Sequence, residues 1–328
     1  MDVADYISGQ SRKIEDRIYI SIPDEPECIY RMLREYISRG GKRMRPVLTL
    51  ACSEACGGRD EDALPYAVAI EIFHNFTLIH DDIEDNSPLR RGKPTLHEKF
   101  GIPIAINSGD ALYTAVWSSL VSSNLAPEKF QKAGKMLVNA FSSVVDGQGT
   151  ELEWYRSGTF ELTEEDYFRM AGGKTGSLIG VSCRIGGYAA QAPEEVQAGL
   201  QEFGEKIGLS FQIKDDVLNL TADPSKYKKE IGEDIKEGKR SLITLKMLSK
   251  LEEKERARAT EILKKPEKSA EEISEIIGLA ESTGAIDYAS SVSDKLVREA
   301  KRSLDVVKDS SKRDILEALA DYVVQREK

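Results

Sequence analysis

Residues 64–85 read LPYAVAIEIFHNFTLIHDDIED. Apolar residues recur here at intervals of three and four, the spacing that aligns side chains along one face of an α-helix. The same spacing continues over most of the chain, and convincing strand alternation is absent. The helix candidates are residues 64–85, 107–124, 130–156, 165–190, 195–220, 239–264 and 291–326. The sequence therefore predicts an all-α fold, with a single large helical domain over residues 1–328 and a loop over residues 223–238.

The quoted stretch ends in an acidic turn, His80-Asp81-Asp82-Ile83-Glu84-Asp85. Asp81 and Asp85 are four residues apart, so their carboxylates project from the same helix face. Magnesium is usually held by one or two carboxylates, together with water and phosphate oxygens. The turn predicts a magnesium site. The alternative is a solvated acidic helix end, because acidic residues are common on helix surfaces.

A second acidic motif lies at residues 211–219, FQIKDDVLN. Phe211, Asp215 and Asn219 recur every four residues and again share one face of a helix. Two such helices facing each other across a bundle would need divalent cations to offset the repulsion. This pattern predicts a second magnesium site opposite the first; two unrelated solvated faces are the alternative.

Basic residues accompany both acidic motifs. They are Lys42 and Arg45 in GGKRMRP, Arg90 and Arg91 after the first motif, Lys174 in GGKTG, and Lys229 and Lys239 after the second. Arginine grips phosphate through two parallel hydrogen bonds, and lysine acts as a point charge. The acids and bases together indicate a metal-assisted site for a ligand with more than one phosphate group.

The ordered motifs GGKRMRP, HDDIED with RRGKPT, GGKTG, FQIKDDVLN and GEDIKEGKRS resemble those of the trans-prenyl diphosphate synthases. The resemblance runs from about Gly40 to Ser241. It implies a helical bundle of the isoprenoid synthase type, a homodimer, and Mg2+-dependent condensation of isopentenyl diphosphate with allylic diphosphates. The released diphosphate is then expected to accept the proton that leaves.

The resemblance also implies roles for individual residues. Asp81, Asp85 and Asp215 look like the magnesium ligands, supported by Asp82, Asp216 and Asn219. The residues similar to those that hold isopentenyl diphosphate are Lys42, Arg45, His74 and Arg91. Those similar to allylic diphosphate ligands are Arg90, Lys174, Lys229 and Lys239, while Thr175 and Gln212 resemble the polar residues near the reacting carbon. For His74, a buried core histidine is the alternative.

Two positions depart from the family pattern. Asn219 replaces the usual last acid of the second motif, which keeps an oxygen ligand but removes a charge. Lys228-Lys229 replaces a more usual Gly-Lys. We expect weaker metal binding on that side and retained activity.

Product length in this family depends on the residues before the first aspartate. Phe76 lies five residues before Asp81, and the adjacent Thr77 is small. This pattern resembles the geranylgeranyl diphosphate synthases and implies a twenty-carbon product, with Tyr113 helping to close the floor of the pocket. A farnesyl or longer product remains an alternative, and both aromatic residues also fit an ordinary core.

Composition excludes several other functions. The chain has 46 Lys+Arg against 56 Asp+Glu and a formal net charge of -10, which disfavours nucleic-acid binding and attraction to anionic membranes. No apolar run approaches about 18 residues, and the acidic start lacks a signal-peptide pattern, so we expect no membrane span and a cytoplasmic location. Two rival functions are a terpene cyclase and a non-catalytic synthase subunit. The basic residues that resemble the isopentenyl diphosphate site, Lys42, Arg45 and Arg91, argue against a cyclase. The intact acidic motifs argue against a non-catalytic subunit.

Overall fold

The computed structural model describes residues 2–222 and 231–324. α-Helices dominate these residues, which confirms the all-α prediction. The chain divides into two compact units. Unit 1 comprises Met1–Val138, Ser182–Ala198 and Val307–Leu316, and unit 2 comprises Asn139–Val181, Gly199–Val306 and Glu317–Lys328. Within the described residues, no helix is both long enough and apolar enough to cross a bilayer.

The first seven helices are α1 (Val3–Ser21), α2 (Glu27–Ser38), α3 (Met44–Ala55), α4 (Asp60–Glu84), α5 (Leu96–Phe100), α6 (Ile102–Val121) and α7 (Pro127–Ser157). An antiparallel hairpin of β1 (Leu89–Arg90) and β2 (Lys93–Pro94) lies between α4 and α5. The later helices are α8 (Glu164–Ala171), α9 (Ser177–Ala189), α10 (Glu194–Thr221), α11 (Glu233–Glu237), α12 (Leu242–Lys250), α13 (Glu253–Lys264), α14 (Ala270–Ser282), α15 (Ala285–Ser303) and α16 (Ser310–Val324). A π-helical turn, Gly172–Gly176, joins α8 to α9.

Several boundaries differ from the sequence-based prediction. The predicted helix 165–190 contains the π-helical turn, and the predicted helices 239–264 and 291–326 are each interrupted. The candidates do not include α1, α2, α3, α5 and α14. The first eight residues of the predicted loop 223–238 lie outside the described residues, and Glu233–Glu237 form α11 rather than loop.

Helix α4 is the central helix of unit 1 and packs against α3 and α6. Tyr66, Ile70 and Phe73 on this helix are all buried. A helix that is apolar on most sides is typical of one surrounded by protein. Because α3 and α6 pack against it, α4 holds its C-terminal acidic turn in a defined position.

The core of unit 2 forms where α12 packs against α8, α14 and α15. Tyr167, Leu242 and Met247 are among its buried residues. Ile213 and Val217 of α10 also lie in this core. Their burial sets the rotation of the helix segment that carries the second acidic motif.

A buried ion pair fixes the loop before α3. Arg43 Nη1 lies 2.8 Å from Glu71 Oε1 on α4, and Arg43 Nη2 donates to the carbonyl of Ile37 at 2.7 Å. Asn75 Nδ2 donates to the same Glu71 oxygen at 3.0 Å. Both charged side chains are almost completely buried. Such a pair is costly to break because the remaining charge stays buried without compensation.

We expect Arg43→Met to destabilise the protein by about 3–5 kcal/mol, since it leaves the buried Glu71 carboxylate without its cationic partner. Urea unfolding followed by circular dichroism measures the loss. Arg59→Met, which removes the exposed Arg59–Asp62 pair of the same unit, is the matched control and should leave the midpoint unchanged. The double variant R43M/E71M should recover most of the loss. A loss no larger than that of the control would contradict this account.

Candidate active site

The acidic turn of α4 has one buried and paired carboxylate. Asp82 is buried, and its Oδ1 accepts a hydrogen bond from Arg90 Nε at 2.7 Å and lies 2.5 Å from Arg90 Nη2. Burial raises the pKa of Asp82, and Arg90 opposes that shift. Asp81 is half-buried and Asp85, at the C-terminal end of the helix, is exposed. Asp82 therefore ties the β-hairpin to α4, while Asp81 and Asp85 remain one helical turn apart.

His74, also on α4, lies close to arginine residues from other segments. Arg45 Nη1 lies 3.1 Å from His74 Nε2. Burial holds the pKa of His74 well below its usual range, and the nearby Arg45 and Arg91 lower it further. The ring is therefore neutral, and its Nε2 accepts from Arg45. This arrangement leaves the positive charge on the arginines.

Arg91 lies beside the GGKRMRP loop. A Cβ atom on Gly41 would come within 3.0 Å of Arg91 Nη2, so glycine makes room for the guanidinium. Nη1 of Arg91 is buried and has no hydrogen-bond partner among the described residues. A buried donor of this kind is costly unless an acceptor satisfies it, and an anion would do so. Lys42, on the same loop, is exposed.

An aromatic cluster lies directly below the acidic turn. The ring of Phe76 is 5.3 Å from that of Tyr113 on α6, 5.4 Å from that of Phe73 and 4.7 Å from that of His80, between centroids. Thr77 Oγ1 donates to the carbonyl of His74 at 2.9 Å. Phe76 and Tyr113, both predicted to limit the product, are therefore in contact in unit 1.

In unit 2, the π-helical turn presents Lys174 and Thr175. Close packing fixes this turn against α7, since a Cβ on Gly147 would lie 2.3 Å from the backbone nitrogen of Lys174. A Cβ on Gly173 would likewise lie 2.8 Å from the carbonyl oxygen of Ser143. Isolated π-helical turns are frequent at functional sites. Here the turn is held by backbone contacts that only glycine permits.

Both side chains of the turn have polar partners. Lys174 Nζ lies 2.5 Å from Glu151 Oε2, and the Glu151 carboxylate is largely buried. Thr175 Oγ1 donates to Gln212 Oε1 at 3.2 Å, and Gln212 Nε2 donates to Asp216 Oδ1 at 3.2 Å. These bonds connect the π-helical turn to the second acidic motif.

The second acidic motif repeats the arrangement of the first. Asp216 is buried, and its Oδ1 lies 2.7 Å from Lys239 Nζ, which also contacts Asp234 at 3.2 Å. Tyr167 donates to the other Asp216 oxygen at 3.2 Å. Burial raises the pKa of Asp216 to about 6 against the opposing effect of Lys239. Burial lowers the pKa of Lys239, but Asp216 and Asp234 raise it by more, so this base stays charged.

The other predicted residues of this region occupy different environments. Asp215 is half-buried, and Asn219 is buried with its side-chain oxygen 3.1 Å from the backbone nitrogen of Asp234. Lys229 lies outside the described residues, as does the Lys228-Lys229 departure. Each unit therefore brings its own predicted acids and bases together. That the two acidic motifs face each other stays a prediction.

Sequence reasoning missed the residues that hold the bases in place. Arg43 had a signal, because it lies between two residues that were singled out. Asp234 also had one, because it lies within the quoted motif GEDIKEGKRS, although no role was assigned to it. Glu151 had none, since it belongs to a helix rich in polar residues. Arg240 was also missed; its guanidinium lies 4.6 Å from the Tyr155 ring and 4.3 Å from the Phe160 ring. It anchors the segment that carries Lys239.

The carboxylates suit a cation that phosphate oxygens help to coordinate. Among the described residues, no three Asp, Glu, His or Cys side chains form a group able to hold a metal ion by themselves. Asp81 and Asp85 supply two hard oxygen donors one turn apart, and Asp215 supplies another in unit 2. This donor type matches magnesium and calcium, which prefer oxygen ligands.

Comparisons with known proteins agree with these features. The family model described as polyprenyl synthetase matches residues 26–280. A short chain isoprenyl diphosphate synthase of Methanothermobacter thermautotrophicus is 37% identical, with 100% of this chain and 99% of that protein covered. The crystal structure of geranylgeranyl pyrophosphate synthetase from Pyrococcus horikoshii superposes with a TM-score of 0.94 at 36% identity, over 99% of this chain and 98% of that one.

A third relative was crystallised with ligands. The polyprenyl synthase from Caulobacter crescentus was crystallised in complex with calcium and isoprenyl diphosphate. It has a TM-score of 0.89 at 26% identity, over 99% of this chain and 98% of that one. These similarities extend over both units. They confirm the resemblance that the ordered motifs indicated, and with it the all-α fold. The chain belongs to the polyprenyl synthetase family.

Proposed function

We propose that this protein is a prenyltransferase that condenses isopentenyl diphosphate with allylic diphosphates in the presence of magnesium. The product we propose is geranylgeranyl diphosphate. The observation that carries the proposal is the arrangement of acids and bases in unit 1, where Asp81 and Asp85 follow His74 by about two and three helical turns, and this neutral histidine lies beside Arg45 and Arg91. The family membership and the short-chain and geranylgeranyl synthases among the relatives support it.

In unit 1, Arg45 and Arg91 would bind the diphosphate of isopentenyl diphosphate, with Lys42 and His74 beside them. Neutral His74 can accept from Arg45 and so orient its guanidinium toward the anion. The buried, unpartnered Nη1 of Arg91 would find its acceptor in a phosphate oxygen. Both effects favour a bound anion at this position.

Asp81, Asp85 and Asp215 would hold the metal, and Asp82, Asp216 and Asn219 would support them. Bound magnesium would neutralise charge on the allylic diphosphate as it leaves. The calcium complex of the Caulobacter relative supports a divalent cation of this class. Asp82 and Asp216 are themselves paired with Arg90 and Lys239, so their role is to position those two bases.

Lys174 and Lys239 would bind the allylic diphosphate together with Arg90 and Lys229. As the carbon–oxygen bond breaks, these bases would stabilise the charge that develops on the leaving group. The double bond of isopentenyl diphosphate then attacks the allylic cation, and the released diphosphate accepts the proton lost from the product. Thr175 and Gln212, which hydrogen-bond each other, would lie near the reacting carbon.

We also propose that both units belong to one catalytic domain and that two chains form a homodimer. The single family match over residues 26–280 includes most of both units, which supports one domain. Helix α7 exposes Val138, Val145 and Leu152, and these residues repeat every seven positions. A helix with such an apolar stripe can pair with its own copy about a two-fold axis.

The first test is product formation from isopentenyl diphosphate with dimethylallyl, geranyl or farnesyl diphosphate and magnesium, measured by mass spectrometry. We expect a twenty-carbon diphosphate, and we expect Asp81→Ala or a chelator to reduce its formation by about 100-fold or more. Glu84→Gln on the same turn is the matched control. Hydrocarbon released from geranyl or farnesyl diphosphate would indicate a cyclase, and no turnover of any primer would indicate a non-catalytic subunit.

Phe76→Ala should lengthen the product beyond twenty carbons, because it removes the ring that packs against Tyr113 below the acidic turn. Phe76→Tyr keeps the ring and is the control that should preserve product length. The measurement is the chain-length distribution at saturating substrates. A wild-type product of fifteen carbons or of more than twenty would show that Phe76 does not set a twenty-carbon limit.

Val145→Glu should convert the homodimer to a monomer, since it places a charge in the apolar stripe of α7. Light scattering after size-exclusion chromatography measures the mass. Thr150→Glu adds the same charge to another exposed face of α7 and should leave the dimer intact. A V145E variant with an unchanged mass would exclude this stripe as the interface.

A further inference from the structure

Asn219 makes two hydrogen bonds to the segment that precedes Lys239. Its side-chain oxygen accepts from the backbone nitrogen of Asp234 at 3.1 Å. Its backbone oxygen accepts from the backbone nitrogen of Gly232 at 2.9 Å. Both bonds connect α10 to the start of α11, and Asn219 is almost completely buried.

The orientation of the Asn219 amide follows from these contacts. A backbone N–H group can only donate, so the atom that faces Asp234 must be the oxygen Oδ1 rather than Nδ2. Nδ2 is buried and has no hydrogen-bond partner among the described residues. The one side-chain oxygen of Asn219 is thus directed at α11, and an amide nitrogen is no ligand for magnesium.

Helix α11 needs this oxygen because its own N-cap residue cannot supply one. The N-cap is Gly232, which has a left-handed conformation and no side chain. The first N–H groups of a helix lack partners within the helix, and a side-chain oxygen normally satisfies one of them. Asn219 provides that oxygen from a different helix.

The capped residue, Asp234, contacts Lys239 at two places. The Asp234 carboxylate lies 3.2 Å from Lys239 Nζ, and the Asp234 backbone oxygen accepts from the Lys239 backbone nitrogen at 2.8 Å. The Lys239 ammonium group is also 2.7 Å from Asp216 on α10. Because Asn219 and Asp216 lie on one helix, the two contacts to α10 fix both ends of the Gly232–Lys239 segment.

We propose that Asn219 is a positioning residue that caps α11 from α10 and thereby sets the location of the Lys239 ammonium group. The proposal rests on the proposed function, in which Lys239 binds the allylic diphosphate. It explains why an amide can stand where the family usually has an acid, since either side chain offers an oxygen that accepts from the Asp234 backbone nitrogen. The residue supports the site through its contact with Asp234, without ligating the metal.

Hydrogen exchange tests the cap without depending on activity. Asn219→Ala should accelerate exchange of the Asp234 amide by about fivefold or more, because its acceptor is removed. Asn219→Asp retains an acceptor and should preserve the slow exchange. Thr221→Ala, on the same helix, is the control, because it removes a hydroxyl that donates to the carbonyl of Val217 in its own helix. Unchanged exchange in N219A would overturn the proposal.

Steady-state kinetics then separate positioning from metal binding. N219A should raise the KM for the allylic diphosphate by about five- to tenfold and leave the half-saturating magnesium concentration unchanged. N219D should restore the KM, and N219A/K239M should be no worse than K239M alone. A lower half-saturating magnesium concentration in N219D, or additive effects in the double variant, would overturn the proposal. A wild-type protein that elongates no primer would refute the proposed function, while the exchange result would still decide the cap.

Discussion

The need to neutralise a buried carboxylate determines the local structure around both acidic motifs. In each motif the second aspartate is buried, and a base from a later segment is bonded to it: Arg90 pairs with Asp82, and Lys239 with Asp216. An isolated buried carboxylate would cost several kcal/mol, so each segment is drawn onto its acid-bearing helix. The first aspartate of each motif is left half-buried beside these fixed bases.

The parts of the fold that follow from local periodicity could be predicted from the sequence. Helices α4, α6, α7 and α10 match their predicted positions closely because each has a long run of apolar residues at helical spacing. The break between α12 and α13 at Leu251 and Glu252 contains neither glycine nor proline, so no local signal marked it. The start of helix α14 does carry a local sequence signal, because Ser269 and Glu272 form a capping box there.

The candidate site was predictable in its residue types, while the bonds among them depend on tertiary contacts. Spacing placed Asp81 with Asp85, and Asp215 with Asn219, on common helix faces. Spacing cannot show that the Asn219 oxygen is directed at Asp234, because that contact joins residues fifteen positions apart. The Glu151–Lys174 pair likewise depends on how α7 packs against the π-helical turn.

The contact between Gly147 and Gly173 has a consequence for anyone who redesigns this enzyme. At these positions backbone touches backbone, so an added methyl group would push the π-helical turn away from α7 instead of filling a gap. Lys174 would move with it, away from Glu151. Libraries aimed at new substrates should therefore leave both glycines fixed and vary the aromatic residues below the acidic turn, where side chains meet side chains and the packing can adapt.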